Sequence, residues 1–69
     1  MRKKVLTKRQ AEVLDFIREY FQREKVMPTY AEVAEWAGVT VSSVFMTIQK
    51  IAEKGHIKQD RRPRMMKLL

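Results

Sequence analysis

The sequence predicts a mainly α fold, three helices followed by a small β-hairpin. Three observations carry that reading. Three stretches open on a threonine and continue with apolar residues at helical spacing. Each is closed by a stop residue: Pro28, Gly38 or Gly55. Beyond Gly55, apolar and polar positions alternate on either side of a basic, proline-containing turn.

The first helix starts at Thr7. Thr7-Lys8-Arg9-Gln10 reads as a capping box, with Thr7 as N-cap and Gln10 reaching back to it. Val13, Leu14, Ile17, Tyr20 and Phe21 then share one face. The helix is expected to end near Glu24 or Lys25, because Pro28 pushes Met27 out of helical geometry. The second helix starts at Thr29, where Thr29-Tyr30-Ala31-Glu32 is a cleaner capping box. Val33, Ala34 and Ala37 form its small-residue face, with Trp36 beside it as a packing or rim residue. Gly38 ends it, at a position that needs a left-handed conformation. The third helix has Thr40 as N-cap, Val41, Val44, Ile48 and Ile51 on one face, and Gly55 as its stop. Ile57 then belongs to a first short strand, residues 60–63 to the turn, and Met66 and Leu68 to a second strand.

At 69 residues the chain is long enough for one domain, residues 1–69. The absence of cysteine excludes disulfides and thiolate metal sites. Met1-Arg2-Lys3-Lys4 is basic like the start of a leader, but an amphipathic pattern follows it rather than an apolar run. No stretch approaches the roughly 18 apolar residues of a membrane span. A cytoplasmic protein that does not enter a membrane is expected.

The net charge is +7, and its placement is informative. Residues 1–10 carry Arg2, Lys3, Lys4, Lys8 and Arg9 without an acid. Residues 11–57 carry more acids than bases. Residues 58–69 carry Lys58, Arg61, Arg62, Arg64 and Lys67 against Asp60. Two basic ends around a mildly acidic middle suit a polyanionic partner, although basic ends also aid solubility.

Residues 33–48 follow helix-turn-helix logic. Ala34 is small where two helices must cross closely, Gly38 makes the turn, and Val39 is expected to anchor that turn in the core. Val44 and Ile48 hold the second helix of the pair against the first. Such a unit places its second helix in the DNA major groove, N-terminal end leading. Helix pairs of this kind also occur in proteins that never meet DNA. The basic hairpin that follows favours DNA, since Arg61, Arg62 and Arg64 around a tight turn suit a wing lying along phosphates. The fold class expected is therefore a three-helix winged helix-turn-helix.

Several short motifs resemble the N-terminal DNA-binding domain of the LexA repressor family. They are Leu6-Thr7-Lys8-Arg9-Gln10, Met27-Pro28-Thr29, Ala31-Glu32-Val33-Ala34 with Gly38, Lys54-Gly55-His56-Ile57, and Arg62-Pro63-Arg64-Met65-Met66-Lys67-Leu68-Leu69. They match in order and spacing over nearly the whole chain. Residues 38–55 look one residue shorter than is usual in that family, and the third helix differs in content. The resemblance implies a LexA-like DNA-binding domain standing alone. The family continues through a linker into a self-cleaving serine-lysine peptidase domain, which also supplies most of its dimerisation. Neither of those functions is assigned to these residues.

With Val44, Ile48 and Ile51 facing the core, helix geometry turns Ser42, Ser43, Met46 and Gln49 outward and leaves Phe45 at the boundary. Thr40, Ser42 and Ser43 can donate to bases or phosphates at the leading end. Gln49 can pair bidentately with adenine, and Met46 and Phe45 can press on thymine methyls. Phe45 and Met46 serve equally as a protein contact, and Phe45 as a core residue. Thr29 and Tyr30 begin a helix whose backbone N–H groups can hold a phosphate. Arg61, Arg62, Arg64, Lys3, Lys4 and Lys8 would position the domain rather than specify sequence. The third helix exposes no arginine, so guanine reading is weak and an AT-leaning site is expected.

His56, the single histidine, lacks the companions a metal site needs. Ser42 and Ser43 have no base at a spacing that would make them nucleophiles. Neither an enzyme nor a cofactor is expected. The expected function is sequence-specific binding of double-stranded DNA by a transcriptional regulator, a repressor acting by steric occlusion. A homodimer on DNA or a protein partner would add affinity, with Phe45, Trp36 or Met65 as candidate contacts. The alternative is a protein-interaction module that uses the winged-helix surface to bind or modulate another regulator.

Overall fold

The computed structural model describes residues 4–59 and 67–68. Three helices are followed by two short strands: α1 Lys8–Glu24, α2 Tyr30–Ala37, α3 Val41–Glu53, β1 Ile57–Lys58 and β2 Lys67–Leu68. The strands pair antiparallel, Ile57 opposite Leu68 and Lys58 opposite Lys67. The molecule is a mainly α winged helix-turn-helix. The turn expected at residues 60–63, and Met66, lie outside the described residues.

All three helix starts are where the sequence puts them. Thr7 and Thr29 each accept from the backbone N–H three residues on, and the Gln10 and Glu32 side chains accept in return from the threonine N–H. Thr40 caps α3 by accepting from the Ser43 N–H. Such caps satisfy N–H groups that no helical carbonyl can reach. Gly38 closes α2 in the left-handed region at φ 71, and the Gly38 and Val39 N–H groups both donate to the Ala34 carbonyl. The α3 stop differs slightly from expectation. The helix ends at Glu53, and Gly55 lies just beyond it at φ 87. The Gly55 N–H then donates to the Ala52 carbonyl and the His56 N–H to that of Ile51. This paired closure satisfies two carbonyls that the helix leaves unmet.

The core draws on every helix and on β1. Val13, Leu14 and Ile17 meet Met27, Val33 and Ala34, then Val44, Ile48, Ile51 and Ile57. Leu6, Phe16, Tyr30, Ala52 and Leu68 pack around this cluster. Three residues expected inside lie largely outside: Phe21, Val41 and Val39 are 41%, 48% and 40% exposed. Each has a local reason. Phe21 is in the last turn of α1, at the rim of a small cleft with Met27 and Leu68. Val41 is the first residue of α3, ahead of the stretch that packs. The interhelix turn is held by backbone hydrogen bonds to Ala34, so the Val39 side chain is not needed as an anchor.

Aromatic packing joins α1 to α2. Phe16 and Trp36 stack with ring centroids 4.5 Å apart. The Tyr20 hydroxyl donates to Glu32 Oε2 at 2.6 Å. Arg9 Nη2 donates to the Ala37 carbonyl at the C-terminus of α2. Trp36 stays 45% exposed, as a rim residue should.

Candidate nucleic-acid interface

The packing of α3 defines the candidate surface. Val44, Ile48 and Ile51 are each at most 3% exposed and fix one side of the helix. The opposite side carries Ser42, Met46 and Gln49, exposed and spaced by four and three residues along one ridge. Ser43 is exposed on the flank of that ridge. The outward set expected on α3 is thus brought together on one side of one helix.

Its leading end is ordered by hydroxyl contacts. Thr40 Oγ1 donates to Ser43 Oγ while accepting from the Ser43 N–H, and Thr47 Oγ1 donates to the Ser43 carbonyl. Thr40 and Ser43 are therefore tied to each other, whereas Ser42 projects alongside. Phe45 is 40% exposed, and its ring meets that of Tyr30 edge-on at 5.6 Å. This contact joins the start of α2 to the flank of α3. Met46 is 62% exposed. The start of α2 is closed by the capping box that its sequence predicts. The Thr29 N–H donates to Glu32 Oε1, and the Glu32 N–H to Thr29 Oγ1.

The N-terminal segment is fastened beside the hairpin. The Lys4 N–H donates to the Lys54 carbonyl at 3.1 Å, and the Lys4 carbonyl accepts from His56 Nε2 at 2.6 Å. A carbonyl can only accept, so Nε2 carries the hydrogen in that contact. Lys54 Nζ donates to Gln10 Oε1 at 2.6 Å, joining the end of α3 to the start of α1. Lys4 and Lys8 are both exposed. Lys8 and Arg9 occupy the first turn of α1, which holds no acid. Cations there oppose the helix dipole, an arrangement an anionic partner would relieve. Lys3, Arg61, Arg62, Arg64 and Met65 lie outside the described residues.

Sequence reading missed the attachment of the hairpin to α3. Gln59 Nε2 donates to the Phe45 carbonyl at 3.4 Å. An open groove between α3 and β1 is lined by Gln49, Ala52, Glu53, Lys58 and Gln59. Nothing in the local pattern at Gln59 marks this partner, which is brought near only by the fold. Among the described residues, no group of His, Cys, Asp or Glu side chains is placed to hold a metal ion. No helix among them is long and apolar enough to cross a membrane.

Comparison with known proteins agrees with this geometry. The model of the LexA DNA binding domain matches residues 3–65. A LexA repressor of Staphylococcus haemolyticus is 36% identical over 66 residues, covering 93% of this chain and 32% of that protein. A LexA repressor of Frankia alni is 39% identical over 66 residues, covering 93% of this chain and 26% of its own length. One from Bacillus thuringiensis is 36% identical, again over 93% of this chain and 32% of its own. The chain thus spans about a third or less of these relatives. What the family model describes is a DNA-binding domain. With three capped helices, a paired hairpin and a match over residues 3–65, the chain belongs to the LexA DNA-binding-domain family.

Proposed function

We propose that residues 1–69 act as a single domain that binds double-stranded DNA sequence-specifically and regulates transcription, repressing by occlusion. The observation that carries this is the two-sided character of α3. Its inner side is fully buried, and its outer ridge presents Ser42, Met46 and Gln49 together, with Ser43 on the flank. A major groove about 12 Å wide accepts one such helix. Thr40, Ser42 and Ser43 lead into the groove, and Gln49 and Met46 follow. Thr29 and Tyr30 approach the backbone from the start of α2. Lys3, Lys4, Lys8, Arg61, Arg62 and Arg64 hold phosphates. The setting is cytoplasmic.

Two substitutions separate specifying from positioning residues. Gln49→Ala changes base preference at one position of the site and spares binding to unrelated duplexes. Arg61→Ala weakens binding to every duplex by a similar factor. Binding competitions against a panel of single-base variants measure both. Identical effects of the two substitutions on every duplex would contradict specific reading by α3.

One observation favours a second reading. Phe45 and Met46 place apolar surface on the outer side of α3, which suits a protein partner. Affinity for DNA falls steeply with salt, whereas an apolar protein contact responds weakly. A salt series on the bound species therefore distinguishes the two.

A further inference from the structure

The two strands place like charges opposite each other. Ile57 pairs with Leu68 and Lys58 with Lys67. Side chains alternate along strands, so the hairpin stem has one apolar and one basic face. Ile57 is 1% exposed in the core and Leu68 packs beside it. Lys58 and Lys67 are both exposed. Directly opposed residues hold their Cβ atoms about 4.5–5.5 Å apart, where like charges destabilise the pair. Neither lysine forms an ion pair among the described residues. The ion pairs found there, Arg9–Glu12, Arg18–Asp15 and Arg23–Glu24, all lie on α1. Glu53 borders the same groove as Lys58 but forms no ion pair with it.

The location of this pair suggests what it serves. Lys58 borders the groove with Gln49, Ala52 and Glu53 of α3, and Gln59 ties the stem to the Phe45 carbonyl. The stem is therefore fixed beside the exposed flank of α3. A duplex that takes α3 into its major groove runs a sugar-phosphate strand along that flank.

We propose that Lys58 and Lys67 together bind a backbone phosphate of DNA, and that this anion balances the opposed charges. The proposal rests on the DNA-binding reading given above. It assigns a contact to the stem of the wing, separate from the arginines of residues 61–64. Two ammonium groups supply several donors and two positive charges to one phosphate. Lysines can also guard a sheet edge against pairing with another chain. In that case they would leave DNA affinity and its salt dependence unchanged.

The test uses the full chain with Lys58→Gln, Lys67→Gln and Lys67→Glu. Thermal midpoints are measured without DNA, and affinity for a duplex of arbitrary sequence is measured across a salt series. Each glutamine variant is expected to melt at or above the parent midpoint. Each is expected to lose about fivefold in affinity at roughly 0.15 M salt, and its salt slope to shrink by a part of the roughly 0.9 that one phosphate contributes. Lys67→Glu, which places an acid opposite Lys58, is expected to melt higher still and bind more weakly. Parent affinity and slope in both glutamine variants would overturn the proposal. So would a lowered midpoint accompanying the loss of affinity, since that would make the lysines structural. If the parent chain itself binds no duplex, the DNA-binding reading fails first, an outcome distinct from failure of the lysine pair alone.

Discussion

Lys25 shows how single residues set the helix ends. It closes α1 in the left-handed region at φ 63, with its N–H donating to the Phe21 carbonyl. A side chain at such an angle costs about 1–2 kcal/mol, which glycine avoids in part at the expense of chain entropy. Lys25→Gly is therefore expected to stabilise the domain by about 1 kcal/mol, seen as a midpoint rise of roughly 4–8 °C. Gly38→Ala is expected to act in the opposite sense. No atom lies within 4 Å of where its Cβ would stand, so the penalty comes from φ 71 alone. A loss of about 1–2 kcal/mol in chemical denaturation is the expected result. The cap at Gly38 was legible because glycine announces that geometry. The end of α1 near Lys25 was legible from Pro28, but its left-handed conformation was not, because nothing in a lysine announces that geometry.

At the level of elements, α3 was read most completely. Its buried residues Val44, Ile48 and Ile51 follow the helical repeat, and their periodicity alone sets the exposed side. Ile48 is fully buried, and Ile48→Ala is expected to cost about 2–5 kcal/mol, again by denaturation. Val41 broke the pattern because the first position of a helix lies before its packed stretch. For α1, one apolar stripe predicted the core through Val13, Leu14 and Ile17 but gave Phe16 no role. The reason is that α1 has two neighbours. One side meets α3, and the flank carrying Phe16 and Tyr20 meets α2 through Trp36 and Glu32. The single stripe reached Tyr20 on that second flank but passed over Phe16. Trp36→Ala is expected to lose roughly 0.5–1.5 kcal/mol from the stacked pair beyond its area term, without changing DNA preference. A change of preference in the same binding competitions would show that Trp36 touches DNA.

For the molecule as a whole, charge placement and family membership both support the DNA-binding reading. Basic residues cluster at the two chain ends. The structure ties the first of them, through Lys4, to the turn that leads into the hairpin. The sequence could show that both ends are basic. It could not show that Lys4 is fastened to the turn before the hairpin, because that depends on the His56 and Lys54 contacts formed only on folding. The Lys58–Lys67 pair was hidden for a related reason, since strand register depends on the turn that joins the strands. The outward set on α3, by contrast, was legible in full. The molecule measures 29 × 24 × 21 Å. Two copies of that size fit side by side on half-sites one DNA turn apart, about 34–36 Å between centres.

Selection of bound duplexes from a random DNA pool at near-physiological salt tests the central claim most directly. The claim is that α3 reads bases in the major groove while the basic ends hold the backbone. It predicts an enriched, AT-leaning motif, and Gln49→Ala alters that motif at one position. Recovery of duplexes with no shared sequence, or of an identical motif from Gln49→Ala and every other α3 ridge variant, would contradict it.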